Sequence, residues 1–145
     1  MVEQINLSDL LPVINEVLDS GGEFTFFPSG SSMRPMLYGK NCSVTIVRPS
    51  GRLKKYDLPL YRLQNGSFVL HRVVKVLPDS YVMRGDCVVA KEYGITDSMI
   101  VGVVTGFSRL GKQHSVTSPF YRFYCRLWTA FPLLRRFVIH FGRPS

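Results

Sequence analysis

The chain has 145 residues, 46% of them hydrophobic and 19% charged, with a formal net charge of +8. That length corresponds to about one domain, and the balance of apolar and charged residues excludes a disordered chain. Cys42, Cys87 and Cys125 are odd in number and lack metal-ligand spacing, which argues against a disulfide framework or a zinc site and for a reducing compartment.

The first segment, 1–22, reads "MVEQINLSDLLPVINEVLDSGG". It carries acids where a signal peptide carries basic residues, and no stretch of the chain offers 18 uncharged apolar residues in a row. The expectation is a cytoplasmic protein, with peripheral attachment to the inner face of a membrane left open. Ser8 is the cap of a helix over 8–19, in which Leu10, Leu11, Ile14, Val17 and Leu18 follow helical spacing. Pro12 falls in the first turn, and Gly21 and Gly22 stop the helix.

From 23 to 110 the pattern changes to short β-rich runs: "EFTFF", "CSVTIV", "LPLYRL", "SFVLHRVVKV", "SYVMRG" and "MIVGVVTGF". Turn signals such as "YGKN", "RPSG", "QNGS" and "LPDS" separate them. No helix-length segment intervenes to make parallel crossovers, so the expected fold is mainly β, compact and antiparallel, with helices at its two ends. The last segment, 111–145, opens its helix at "TSPF", breaks at Pro132 and ends at Gly142.

Charge is concentrated in that tail. No acid follows Asp97, whereas Arg109, Lys112, Arg122, Arg126, Arg135, Arg136 and Arg143 do. Aromatic residues interleave with these arginines. Either the tail covers a face of the β domain, or Arg122, Arg126, Trp128, Arg135 and Arg136 meet an anionic membrane surface. Single-stranded nucleic acid is the least favoured partner.

The chemistry-bearing stretch is "FFPSGSSMRPML". Gly30 permits a tight turn and Pro35 stiffens its exit, so Ser29, Ser31 or Ser32 can be held on a rigid loop; the ordinary reading is a Gly/Ser/Pro turn. A serine nucleophile needs a base. His114 sits in a Gly/Lys turn and His140 in the tail, which leaves His71. Strand alternation puts His71 on a face with Val69, Val73 and Lys75. An acidic neighbour for it comes from "MRGDCVVAKE", as Asp86 or Glu92. No metal or cofactor is implied.

Taken in order, "GSSMRPML", "LPLYR", "FVLHRVVKV", "YVMRGDC" and "IVGVV" resemble the boxes of the signal peptidase I family over roughly residues 25–106. The resemblance implies a fold of the signal peptidase/repressor-peptidase type, and it assigns the nucleophile to Ser32, the serine before Met33. "LHRVV" is similar to the branch with a Ser-His pair, so His71 inherits the role of base. Asp86 is the first choice for its supporting acid and Glu92 the second, with glutamate where that branch has aspartate. Gly30, Ser31, Met33 and Pro35 would shape the oxyanion hole and substrate floor, the substrate being an extended peptide with small residues near the cut.

The chain is expected to depart from that family in three ways: a soluble helix over 8–19 where the family has its membrane anchor, Lys40-Asn41 after the first box, and the added tail. The alternatives are a Ser-Lys peptidase related to self-cleaving repressors, with Lys75 as base, and an inactive peptide- or membrane-binding module.

Overall fold

The computed structural model describes residues 7–28, 33, 36, 37 and 42–130. Its first element is helix α1 (Leu7–Asp19), which begins one residue before the expected cap Ser8. Ile14 and Leu18 are buried, and Leu7, Leu10 and Leu11 pack beside them. Each fully buried aliphatic side chain contributes about 1.5–3 kcal/mol. The helix ends in a Schellman motif: Gly22 N–H reaches Val17 O (2.9 Å), Gly21 N–H reaches Leu18 O (3.1 Å), and Gly21 takes φ +87°. A side chain at Gly22 would place its Cβ 2.9 Å from Val17 O, so the helix can stop this way only with glycine there.

Among the described residues nine strands follow, every pairing antiparallel. They are β1 (Phe24–Phe26), β2 (Ser43–Val47), β3 (Pro59–Arg62), β4 (Phe68–Leu70), β5 (Arg72–Val76), β6 (Tyr81–Arg84), β7 (Glu92–Ile95), β8 (Ile100–Arg109) and β9 (Lys112–Ser115). A larger sheet runs β1-β2-β8-β3-β4, with β9 also on β8; a smaller one runs β5-β6-β7. Helix α2 (Pro119–Ala130) closes the described chain, capped as "TSPF" predicts, with Tyr121 N–H on Ser118 Oγ at 3.2 Å. The architecture is thus mainly antiparallel β with a helix toward each end. Among the described residues no helix is long and apolar enough to cross a membrane.

The sheets bound two cores. One joins α1, the larger sheet and α2 through residues such as Ile14, Val44, Ile46, Leu60, Phe107 and Tyr121. The other lies under the smaller sheet, where Tyr61, Val73, Tyr81, Met83 and Ile95 meet. The central strand β8 passes close to β2: a Cβ on Gly102 would stand 3.1 Å from Val47 O.

One expected strand is two. "SFVLHRVVKV" reads as continuous, yet β4 belongs to the larger sheet and β5 to the smaller, and His71 is the residue between them. A register shift between Val73 and Lys75 breaks the alternation again. His71 and Lys75 therefore do not share a strand face, and Lys75 is exposed. His114 also departs from expectation: it lies in β9, stacked on Phe107 at 5.1 Å between ring centroids. Two-residue hairpin geometry at Leu110-Gly111 (φ 51° and 74°) makes that extra strand.

Candidate functional site

The smaller sheet brings His71 and Glu92 together. Its register sets Arg72 opposite Arg84 and Glu92 opposite Met83, so the start of β5 and the start of β7 flank the same end of β6. There His71 Nδ1 lies 2.6 Å from Glu92 Oε1. The same oxygen accepts the Tyr61 hydroxyl at 2.7 Å, and that hydroxyl is 3.4 Å from His71 Nδ1. The side chains of His71 and Glu92 are 13% and 30% exposed, so the pair sits at the surface edge of a dry core.

Tyr61 has no exposed surface. Burial, reinforced by Glu92, pushes its phenol above the ordinary value, so it remains a donor through the neutral range. A carboxylate that accepts from Tyr61 and from an imidazole N–H fixes the ring's orientation and its tautomer: the hydrogen sits on Nδ1 and the lone pair on Nε2. That is the form in which a histidine accepts a proton from a nucleophile.

Asp86, the first choice from sequence for supporting His71, has a different partner. Its carboxylate takes Arg72 Nε and Nη2, each at 2.8 Å, and both side chains are fully buried. Tyr124 donates to Asp86 Oδ2 at 2.7 Å, and Trp128 Nε1 donates to the Asp86 carbonyl at 2.7 Å. Arg72 Nη1 donates to Tyr56 O, Tyr121 Oη and Cys125 Sγ. Burial alone would lower the basicity of Arg72, but the Asp86 carboxylate outweighs it and holds the guanidinium well above its ordinary value. Burial also pushes the Tyr121 and Tyr124 phenols up. The order of the two acids is therefore reversed: Glu92 holds the histidine, and Asp86 neutralises a buried arginine.

Two methionines tie the serine-rich segment to this pair. Met33 is buried, with its sulfur 3.4 Å from Asp86 N, and Met36 Sδ lies 3.3 Å from Arg72 Nη2. Ser32, Gly30, Ser31 and Pro35 lie outside the described residues, as do Arg135 and Arg136. Arg122 and Arg126 are exposed on α2. Trp128 corrects the expectation of a lipid-facing aromatic: it is 5% exposed and turned onto Asp86, because α2 packs its Tyr121, Cys125 and Trp128 stripe against the β domain.

Sequence reasoning passed over Tyr61 and Arg72, although both stand in the quoted boxes "LPLYR" and "LHRVV". The signal was a polar tip or a charge in an otherwise apolar strand. Among the described residues no group of three or more His, Cys, Asp or Glu can hold a metal ion. Comparison with models of known protein families, with curated proteins and with solved structures gave no match.

Proposed function

We propose that the protein is a serine endopeptidase of the signal peptidase I-like class, with Ser32 as nucleophile and His71 as general base. The observation that carries this reading is the Tyr61-Glu92-His71 arrangement, in which a carboxylate 2.6 Å from Nδ1 leaves Nε2 for proton transfer. Contact of Met33, the residue after Ser32, with the Asp86 backbone supports it, because Asp86 grips Arg72 and Arg72 follows His71 in the chain.

In this mechanism Ser32 Oγ attacks a peptide carbonyl as His71 Nε2 takes its proton. Glu92 stabilises the imidazolium. The Ser32 N–H, with Gly30 or the Ser31 hydroxyl, receives the oxyanion, and Met33 and Pro35 shape the floor. Collapse passes the proton from His71 to the leaving amine, and water then releases the acyl group by the same route. The substrate is an extended peptide with small side chains near the cut, pairing with a sheet edge.

An exposed Lys75 does not favour the Ser-Lys alternative, since a lysine base needs desolvation to lower its basicity. A peripheral contact with anionic membrane is supported by the outer face of α2, where Phe120 (82% exposed) and Phe123 (63%) stand beside Arg122 and Arg126.

The test is a serine-directed phosphonate probe with the adduct located by mass spectrometry. Labelling of Ser32 that vanishes in His71→Ala is the expected result. Labelling that survives His71→Ala but not Lys75→Ala would transfer the base role to Lys75. An absence of labelling in the wild-type chain, with liposome co-sedimentation that depends on Arg122 and Arg126, would leave a membrane-binding module.

A further inference from the structure

A cleft of about 340 Å³ lies on the side of the smaller sheet away from its core. Val74 and Val82 form part of its wall, whereas their strand neighbours Val73, Tyr81 and Met83 point into the core. Lys55, Lys75, Arg84 and Lys91 converge on it, and no Asp or Glu lines it. None of these four cations has an ion-pair partner among the described residues. Their mutual repulsion opposes the compact state unless an anion intervenes.

Arg84 carries the second observation. Its Nε is buried and has no hydrogen-bond partner among the described residues. Burial lowers the basicity of this guanidinium, and the Asp86 charge only partly offsets the effect because that carboxylate is committed to Arg72 and Tyr124. A half-buried arginine whose Nε lacks a partner among the described residues, set beside three lysines, is a costly arrangement for structure alone. Tyr56 and Tyr93 add two phenols to the lining.

We infer that this cleft binds a phosphate group, held by Arg84 and by Lys55, Lys75 and Lys91. A dianion matches several converging cations better than a single carboxylate does, and the arginine fork suits phosphate oxygens. The inference does not depend on the peptidase reading, since none of Tyr61, His71 and Glu92 lines this cleft.

The experiment titrates the full chain with inorganic phosphate and pyrophosphate by calorimetry at constant ionic strength, with chloride and acetate as controls. Saturable binding of phosphate over chloride and acetate is expected, weakened about tenfold or more by Lys75→Ala or Lys91→Ala, each an exposed residue whose truncation leaves the core intact. A parallel arm uses phosphatidylcholine vesicles with and without phosphatidate. Phosphatidate-dependent binding lost in Lys75→Ala, yet kept in Arg122→Ala/Arg126→Ala, supports the same site with a lipid headgroup as the phosphate source. Equal heats for phosphate and chloride at matched ionic strength, or binding that both lysine variants retain, would overturn the inference.

Discussion

Glu92 Oε1 accepts two hydrogens, one from the Tyr61 hydroxyl at 2.7 Å and one from His71 Nδ1 at 2.6 Å, and so locks an imidazole at the junction of two sheets. Glu92→Gln keeps the shape but not the charge, and its amide donates where the carboxylate accepted. The hydrogen then moves to Nε2, the wrong tautomer for a base. Phosphonate labelling of Ser32 is expected to slow by about 10²–10⁴-fold, with unfolding free energy changed by less than about 1 kcal/mol. Equal labelling rates in the two proteins would remove Glu92 from the mechanism.

Tyr61→Phe separates orientation from charge. The variant keeps the ring in its core and loses the hydroxyl that donates to Glu92 and lies 3.4 Å from His71 Nδ1. A hydrogen bond to a carboxylate contributes about 1.5–3 kcal/mol to stability, but His71 Nδ1 still donates to Glu92 in the variant, so labelling should fall only about three- to tenfold, short of the Glu92→Gln effect. A loss as large as that of Glu92→Gln would mean that Tyr61 itself handles the proton.

The Arg72–Asp86 pair calls for the opposite signature. Both side chains are fully buried, and Asp86→Asn leaves a guanidinium without its counter-charge. Breaking such a pair is expected to cost about 3–5 kcal/mol in denaturant unfolding. Replacing both partners, as Arg72→Met with Asp86→Leu, should recover much of that loss, because the desolvation of two charges disappears with them. If Asp86→Asn instead abolished labelling with unfolding unchanged, Asp86 would act in the chemistry and not in the fold.

Much of this architecture was legible in local pattern. The glycine pair after Ser20, the "TSPF" cap and five of the six β-rich runs mark elements that form where their residues call for them, because caps and alternation act over one turn or one strand. The split at His71 was not legible. "FVLHRVV" alternates without a break, and only the pairing of β4 with β3 and of β5 with β6 shows that it serves two sheets. Strands β7 and β9 were hidden for a related reason: "EYGI" and "KQHS" carry little apolar content, and their partners supply the order. Within the site, the sequence offered two candidate acids and ranked Asp86 ahead of Glu92, the reverse of their placement against His71. The choice rests on register, since Glu92 sits opposite Met83 while Asp86 lies beyond the end of β6 and turns inward.

Alkaline unfolding offers a check on the buried phenols. Tyr61, Tyr121 and Tyr124 are all pushed above the ordinary value near 10, first by burial. The folded chain keeps these protons where the unfolded chain releases them, so their contribution to stability is complete below about pH 10 and declines as pH rises past it. Phenolate absorbance should therefore appear in a cooperative step that coincides with loss of tertiary structure. In Tyr124→Phe the decline should be shallower, although the variant starts less stable at neutral pH for want of the hydrogen bond to Asp86. Gradual ionisation of all tyrosines well before unfolding would contradict the buried placement of these three.

The β8–β9 hairpin carries a strain that can be relieved. Leu110 takes φ 51° and is 83% exposed, in the first position of a two-residue turn completed by Gly111. A β-unbranched apolar residue gains nothing there, whereas asparagine tolerates the left-handed region and favours this turn. Leu110→Asn should raise stability by about 0.5–1 kcal/mol, read as a higher denaturant midpoint at unchanged slope. Because β9 contributes His114 to the stack on Phe107, and Phe107 in turn packs against Tyr121 of α2, a firmer hairpin should also slow amide exchange at the start of α2. A lower midpoint, or exchange in α2 that does not respond, would show that the turn is not the weak point of this edge.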